Sequence, residues 1–149
     1  MQVRFSIPGE PKGKGRPRFM RNGHTYTPQA TVEYENWVRL SYRTNTENYF
    51  FPNHIALSVR MDAYFGIPKS TSKKNRKKME TGGIRPVVKR DCDNIAKIIL
   101  DALNKIAYHD DAQVVELVVC KWYDEQPRVD VLIKELTVMD GFEKNEKSD

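Results

Sequence analysis

Hydrophobic positions along the chain fall into patterned stretches whose period names the element each predicts. Residues 2–7, "QVRFSI", alternate Val3, Phe5 and Ile7 with polar neighbours, as a strand with one buried face does. "TYTPQATVEYENWVRLSYRT" opens on Thr27 and Pro28, an N-cap and first-turn pair. Ala30, Tyr34, Trp37, Val38 and Ser41 then mark one helical face to about Thr44. "HIALSVRMDAYFGI" (54–67) predicts a strand stopped by Gly66 and Pro68. In "KRDCDNIAKIILDALN" (89–104), Ile95, Ile98, Ile99, Ala102, Leu103 and then Ile106 recur as one buried helical face. The β-branched "AQVVELVVCKWY" (112–123) and "RVDVLIKEL" (128–136), joined by a turn at Gln126-Pro127, predict an antiparallel hairpin.

The intervening stretches are polar. "PGEPKGKGRPRF" is rich in Pro and Gly and predicts a loop. "STSKKNRKKMETGG" has a helix start at Ser70 or Ser72 and a stop at Gly82-Gly83, with almost no apolar face; such a helix is marginal alone and is expected to order on binding. "FEKNEKSD" is expected to be disordered. The order of elements predicts an α+β fold: a small mixed β-sheet with helices packed on it, one domain over residues 1–138, and a polar tail at 139–149.

Composition narrows the class. No apolar run approaches the roughly 18 residues of a membrane span, and the N-terminus lacks the apolar centre of a signal peptide. Cys92 and Cys120 match no zinc spacing and form no disulfide framework, so they read as reduced thiols in the cytoplasm. Net charge is +5, but its distribution is uneven. Residues 12–21 and 69–90 hold 14 of the 25 Lys and Arg and a single acid, Glu80. Lys12, Lys14, Arg16 and Arg18 in the first cluster, and Lys73, Lys74, Arg76, Lys77, Lys78, Lys89 and Arg90 in the second, are the expected contacts to a polyanion, nucleic acid first among them.

Carboxylates stand beside these clusters. Asp91 and Asp93 sit at the mouth of the predicted 89–104 helix, and Asp110 and Asp111 in the short connection that follows it. Three or four aspartates converging there would form an all-oxygen site for Mg²⁺, with Mn²⁺ as a substitute. Magnesium activates water and neutralises charge on a phosphoryl transition state, which suits phosphodiester hydrolysis. Lys97 lies one turn beyond Asp93 and can face the same way, to bind the scissile phosphate. Simpler readings exist for each residue: Asp91 or Asp93 as an N-cap, Asp93–Lys97 as a surface pair, "DD" as a turn. Asp101, mid-helix, reads as structural, pairing with Lys97 or Lys105. A chain extended from Ala112 onward would point Asp110 and Asp111 to opposite faces, so only one of the two reaches the metal.

"RDCDNIAKIILDALN" followed by "AYHDDAQVV" resembles the signature of the RusA family of Holliday junction resolvases, D-x-D-N-x-x-K-x-x-x-D-A-L and later D-D-x-Q-V; "IPGEPKGKGRPRF" is similar to the opening of many members. The resemblance spans residues 5 to about 135. It implies a magnesium-dependent homodimeric endonuclease that cuts four-way DNA junctions by paired symmetric nicks, with no small-molecule cofactor, encoded by a bacterium or a prophage. It implies that Asp91, Asp93 and Asp111 hold the metal and that Lys97 is the essential lysine. Asp110 and Asn94 are then expected beside the site, orienting water or neighbouring side chains. Arg90 departs from the proline of many relatives, and the stretch "KSTSKKNRKKMETGGIRPVVK" falls where the family varies. Two other classes compete: a non-catalytic protein that binds branched DNA, which leaves the aspartates without a task, and an "HD" phosphohydrolase, for which only His24 and His54 could supply further imidazoles.

Overall fold

The computed structural model describes residues 1–15 and 18–137. Arg16 and the 139–149 tail, both named in the sequence reading, lie outside the described residues. The elements are β1 (Gln2–Pro8), β2 (Arg18–Phe19), β3 (Thr25–Tyr26), α1 (Gln29–Thr46), β4 (Leu57–Gly66), α2 (Lys73–Glu80), α3 (Cys92–Leu103), a 3-10 turn (Asp111–Gln113), β5 (Val114–Asp124) and β6 (Arg128–Glu135). Four strands make one mixed sheet in the order β1-β6-β4-β5, and β2 and β3 pair as a short separate finger. This is the α+β architecture that the patterning predicts.

One face of the sheet carries the core. Val3, Phe5 and Ile7 of β1, alternate residues of β4 from Leu57 to Phe65, and Val129, Val131 and Ile133 of β6 are all buried. α3 lays Ile95, Ala96, Ile98, Ile99, Ala102 and Leu103 against them. Burying each of its large aliphatic side chains is worth about 1.5–3 kcal/mol, so the apolar stripe of α3 fixes where its polar stripe points. α1 begins after Pro28, one residue later than predicted, and its buried face is Thr31, Tyr34, Val38, Ser41 and Tyr42. Trp37 is outside that face: it is 41% exposed, and its indole N–H donates to the Pro8 carbonyl at 2.7 Å.

The predicted hairpin is not formed. β5 runs parallel to β4, while β6 is antiparallel to both β4 and β1 and lies between them. The connection at 125–127 therefore steps over the end of β4, a span of two strand spacings, about 10 Å, within reach of the four peptide steps from Asp124 to Arg128. Gly66 lies beneath the passage and leaves room for the Glu10 carboxylate. A Cβ there would lie 2.5 Å from Glu10 Oε1 and 3.6 Å from Pro127 Cγ. Instead the Gly66 N–H donates to Glu10 Oε1 at 3.0 Å, and the Gly9 N–H donates to the Pro127 carbonyl at 3.0 Å.

α2 is a formed helix, as its start and stop signals predict. The Ser72 hydroxyl accepts from the Asn75 N–H, and Gly82, at φ 83°, ends the segment. No residue of α2 is buried. Its attachment is electrostatic and aromatic: Arg76 reaches Glu125 at 3.1 Å, and Arg85, just beyond the helix, lies over the Trp122 ring at 3.5 Å.

Candidate active site

α3 carries the site, and its two ends do different work. Asp91 occupies the N-cap position but makes no side-chain cap hydrogen bond. Asp93 follows in the first turn. Both are exposed, and among the described residues neither carboxylate accepts a hydrogen bond or an ion pair. Capping therefore does not account for them. Arg90 immediately before adopts φ 100°, a conformation costly for a residue with a side chain. Proline, fixed near −65°, could not adopt it.

Beside Asp91 opens a cleft of about 770 Å³, lined by Lys12, Lys14, Arg18, Lys89, Arg90 and Asn94 among others. Its floor is the glycine-rich loop after β1. The Lys14 N–H donates to the Asn94 carbonyl at 3.1 Å, and the Gly15 N–H to Thr31 Oγ1 at 3.2 Å. A Cβ on Gly15 would come within 2.7 Å of that hydroxyl, and one on Gly13 within 3.2 Å of Asn94 Cβ. The glycines are there for close approach: they let a basic strand of backbone lie against α1 and α3. The two basic clusters, some seventy residues apart in sequence, thus meet at one cleft.

Along α3, Asp93, Lys97, Asp101 and Asn104 recur at spacings of four, four and three, so they share one exposed stripe. Lys97 Nζ lies 3.3 Å from Asp101 Oδ2. Asn104 Oδ1 accepts the Asp111 N–H at 2.8 Å and so ties the Asp110–Asp111 connection to the C-terminal end of the stripe. From Asp93 to Asn104 the helix rises about 16 Å. The aspartates are strung along the stripe rather than gathered at one point, and among the described residues no three His, Cys, Asp or Glu side chains stand together as an ion-binding group.

Asp110 and Asp111 are distinguished, though not by strand alternation. Residues 111–113 form a 3-10 turn, and the extended chain begins only at Val114. Asp110 caps that turn: its carboxylate accepts from the Ala112 N–H at 3.2 Å, and Gln113 Oε1 accepts from the Asp110 N–H at 3.3 Å in return. The Asp110 carboxyl is held below the usual carboxylate range, first by its hydrogen bond with Asp111 and then by the Ala112 N–H. Asp111 moves the other way: the same hydrogen bond, burial and the charges of Asp110 and Asp101 raise it, while Lys97 opposes. Buried Tyr108, whose hydroxyl donates to the Leu100 carbonyl at 2.8 Å, is pushed up by burial and then by Asp111, Asp101 and Asp110. This end of the stripe is a pocket of crowded negative charge. A hard cation would relieve it, and the carboxylate oxygens here, like the uncommitted ones of Asp91 and Asp93 at the other end of α3, fit such an ion in kind.

Other predicted contacts divide. Lys73, Lys74, Lys77 and Lys78 are exposed on α2. Lys12, Arg18, Lys89 and Arg90 face the cleft. Arg76 is engaged with Glu125, and Lys14 is mostly enclosed, 2.5 Å from Glu35 Oε1 and 3.3 Å from Asp101 Oδ2. These two hold structure together as well as adding charge. Asn104 and Asp101 escaped the sequence reading as site residues, although their helical spacing from Asp93 and Lys97 was visible.

The family model for endodeoxyribonuclease RusA matches residues 8–134. The chain belongs to the RusA endodeoxyribonuclease family. It is also 39% identical over 140 residues to the uncharacterized protein YqaN of Bacillus subtilis (strain 168), an alignment covering 91% of this chain and 97% of that protein. The family consists of endodeoxyribonucleases that act on branched DNA junctions, and the matched span includes the basic cleft, α3 and the aspartates that follow it. Among the described residues no helix is long and apolar enough to cross a membrane.

Proposed function

We propose that this RusA-family endonuclease resolves four-way DNA junctions by paired symmetric nicks, as a Mg²⁺-dependent homodimer serving DNA recombination and repair within the cell. The observation that supports it most directly is Asp91, which stands in the N-cap position without capping, its carboxylate free beside a cleft of lysine and arginine. A carboxylate facing a polyanion weakens binding unless a cation lies between them. Asp91 and Asp93 at one end of α3, and Asp111 at the other, would each offer carboxylate oxygen to Mg²⁺, or to Mn²⁺ in its place. When bound, the ion supplies an activated water and neutralises charge on the phosphate. Lys97, the most exposed member of the stripe's ion pairs, presents its ammonium to the scissile phosphate or the leaving oxygen. Lys12, Lys89 and Arg90 hold the strand by its phosphates, and the lysines of α2 extend that contact. Asp110 keeps the turn that presents Asp111, and Asn94 fixes the loop bearing Lys12 through its carbonyl.

Labelled four-way junction, flap and linear duplex, each incubated with the protein in Mg²⁺ and in Ca²⁺, test the reading. Paired nicks at symmetric positions near the branch point, in Mg²⁺ only, are expected. Tight junction binding without cleavage in any divalent metal would instead identify a non-catalytic branched-DNA binder. Equal cutting of linear duplex would remove the junction from the proposal.

A further inference from the structure

Asp101 is the member of the α3 stripe that is bonded on both sides. Its Oδ2 lies 3.3 Å from Lys97 Nζ and also 3.3 Å from Lys14 Nζ. Lys14 in turn pairs with Glu35 Oε1 at 2.5 Å, and Glu35 Oε2 with Arg39 at 3.3 Å. This connected group holds three cations and two anions, an excess of one positive charge. Its members are not equally accessible. Side-chain exposure is 13% for Glu35, 21% for Lys14, 23% for Asp101 and 31% for Arg39, but 63% for Lys97. Lys97 is therefore the outer end of the group, the ammonium that solvent or an anion can reach. A carboxylate serving Lys97 alone would neutralise it; one already committed to Lys14 steers it without quenching it.

We propose that Asp101 is the positioning residue of the site: by sharing one carboxylate oxygen between Lys14 of the basic loop and Lys97 of α3, it aims the Lys97 ammonium at the phosphate and locks the loop to the same helix. Lys14 is already anchored through its backbone to the Asn94 carbonyl, so the loop beneath the cleft and the reactive stripe become one rigid unit. A lysine has many rotamers of similar energy, and an ammonium that must meet a transition state gains rate from being held near its working position. The proposal rests on the reading of Lys97 as the phosphate-facing lysine of an endonuclease, and its test keeps the two separable.

The experiment compares wild type, Asp101→Asn, Asp101→Glu, Lys97→Ala and the Asp101→Asn/Lys97→Ala double variant. Single-turnover junction cleavage is measured in Mg²⁺ and junction affinity in Ca²⁺. Asp101→Asn should slow cleavage about 10-fold with affinity held within about threefold, and Asp101→Glu should recover part of the loss. In the Lys97→Ala background Asp101→Asn should cost nothing more, because it acts through Lys97. A second readout needs no turnover: with ¹³Cε-labelled lysine, the ε-methylene protons of Lys97 should be inequivalent in wild type and averaged in Asp101→Asn, while those of Lys14, still held by Glu35, stay inequivalent. If wild type cuts no DNA, the endonuclease reading fails and the NMR comparison alone judges Asp101. Additive rate losses in the double variant, or Lys97 protons already averaged in wild type, would overturn the positioning role.

Discussion

Asp91 and Asp110 are the same residue type at the same kind of position, the start of a helical turn, and they behave oppositely. Asp110 spends its carboxylate on the Ala112 N–H, while Asp91 leaves its own unspent. Asp91→Asn and Asp93→Asn should each abolish cleavage while junction affinity in Ca²⁺ stays within a few-fold; normal cleavage by either variant would end the metal-ligand assignment. For the neighbouring pair, Asp111→Asn should be inactive. Asp110→Asn should keep much of the activity, because asparagine caps nearly as well as aspartate, whereas Asp110→Ala should lose about 1 kcal/mol of stability in chemical denaturation. An inactive Asp110→Asn beside an active Asp111→Asn would move the site by one residue. The sequence shows all four aspartates and the lysine four residues on, since motif spacing survives in one dimension. It does not show which carboxylate is consumed by local backbone, because that depends on turn geometry at 110–113.

Among the elements, α3 was readable because its apolar spacing is strong, although the 89–104 reading overran it by three residues at the start and one at the end. β5 and β6 were each recognisable as strands, yet their partnership was misread: alternation reveals a strand's faces, not its neighbours, and a three-residue link suits both a hairpin and a step across β4. The face of the sheet away from α1 and α3 shows how the elements are tied. Burial of the Asp62 carboxyl favours its neutral form, but hydrogen bonds from Arg60 at 3.0 Å and Trp122 at 2.9 Å outweigh this and hold it below the usual carboxylate range. A depressed folded-state pKa contributes stability above the unfolded value, roughly 3.9, and loses it as pH falls through the folded one. Asp62→Asn should therefore lower Tm at pH 7 and converge on wild type in strong acid; a gap in Tm independent of pH would mean that packing, not charge, is at stake. α2 makes the complementary case. With no buried residue, its lysines are free for phosphate, and neutralising Lys73, Lys74, Lys77 and Lys78 together should weaken junction binding and flatten its salt dependence. An unchanged slope would remove α2 from the DNA contact.

For the whole molecule, pairing is the open issue. β5 is one edge of the sheet, with β1 at the other. Arg85 and Cys92 bond its carbonyls at Lys121 and Val119, but toward its start Val115, Leu117 and Val118 are exposed, at 60%, 44% and 47%. An uncovered edge with apolar side chains is a ready surface for a second copy. Leu117→Lys with Val118→Glu should shift sedimentation toward monomer at micromolar concentration and turn paired nicks into single ones. A wild type that sediments as a monomer both free and on DNA would rule out the dimer.

The placement of β6 bears on how the protein is made. β1 and β4 do not pair with each other; the strand that joins them is the last element of the described fold. While the ribosome is still adding residue 124, the nascent chain already contains the basic loop, α3 and every candidate catalytic aspartate, but its sheet has a gap one strand wide. The first strand must wait for the last, and such long-range closure is slow compared with forming a helix. The nuclease should therefore stay unassembled until β6 has been added. Chains arrested before Arg128 should be protease-sensitive and unable to cut, and adding the missing segment as a separate peptide should restore protease resistance and cleavage together.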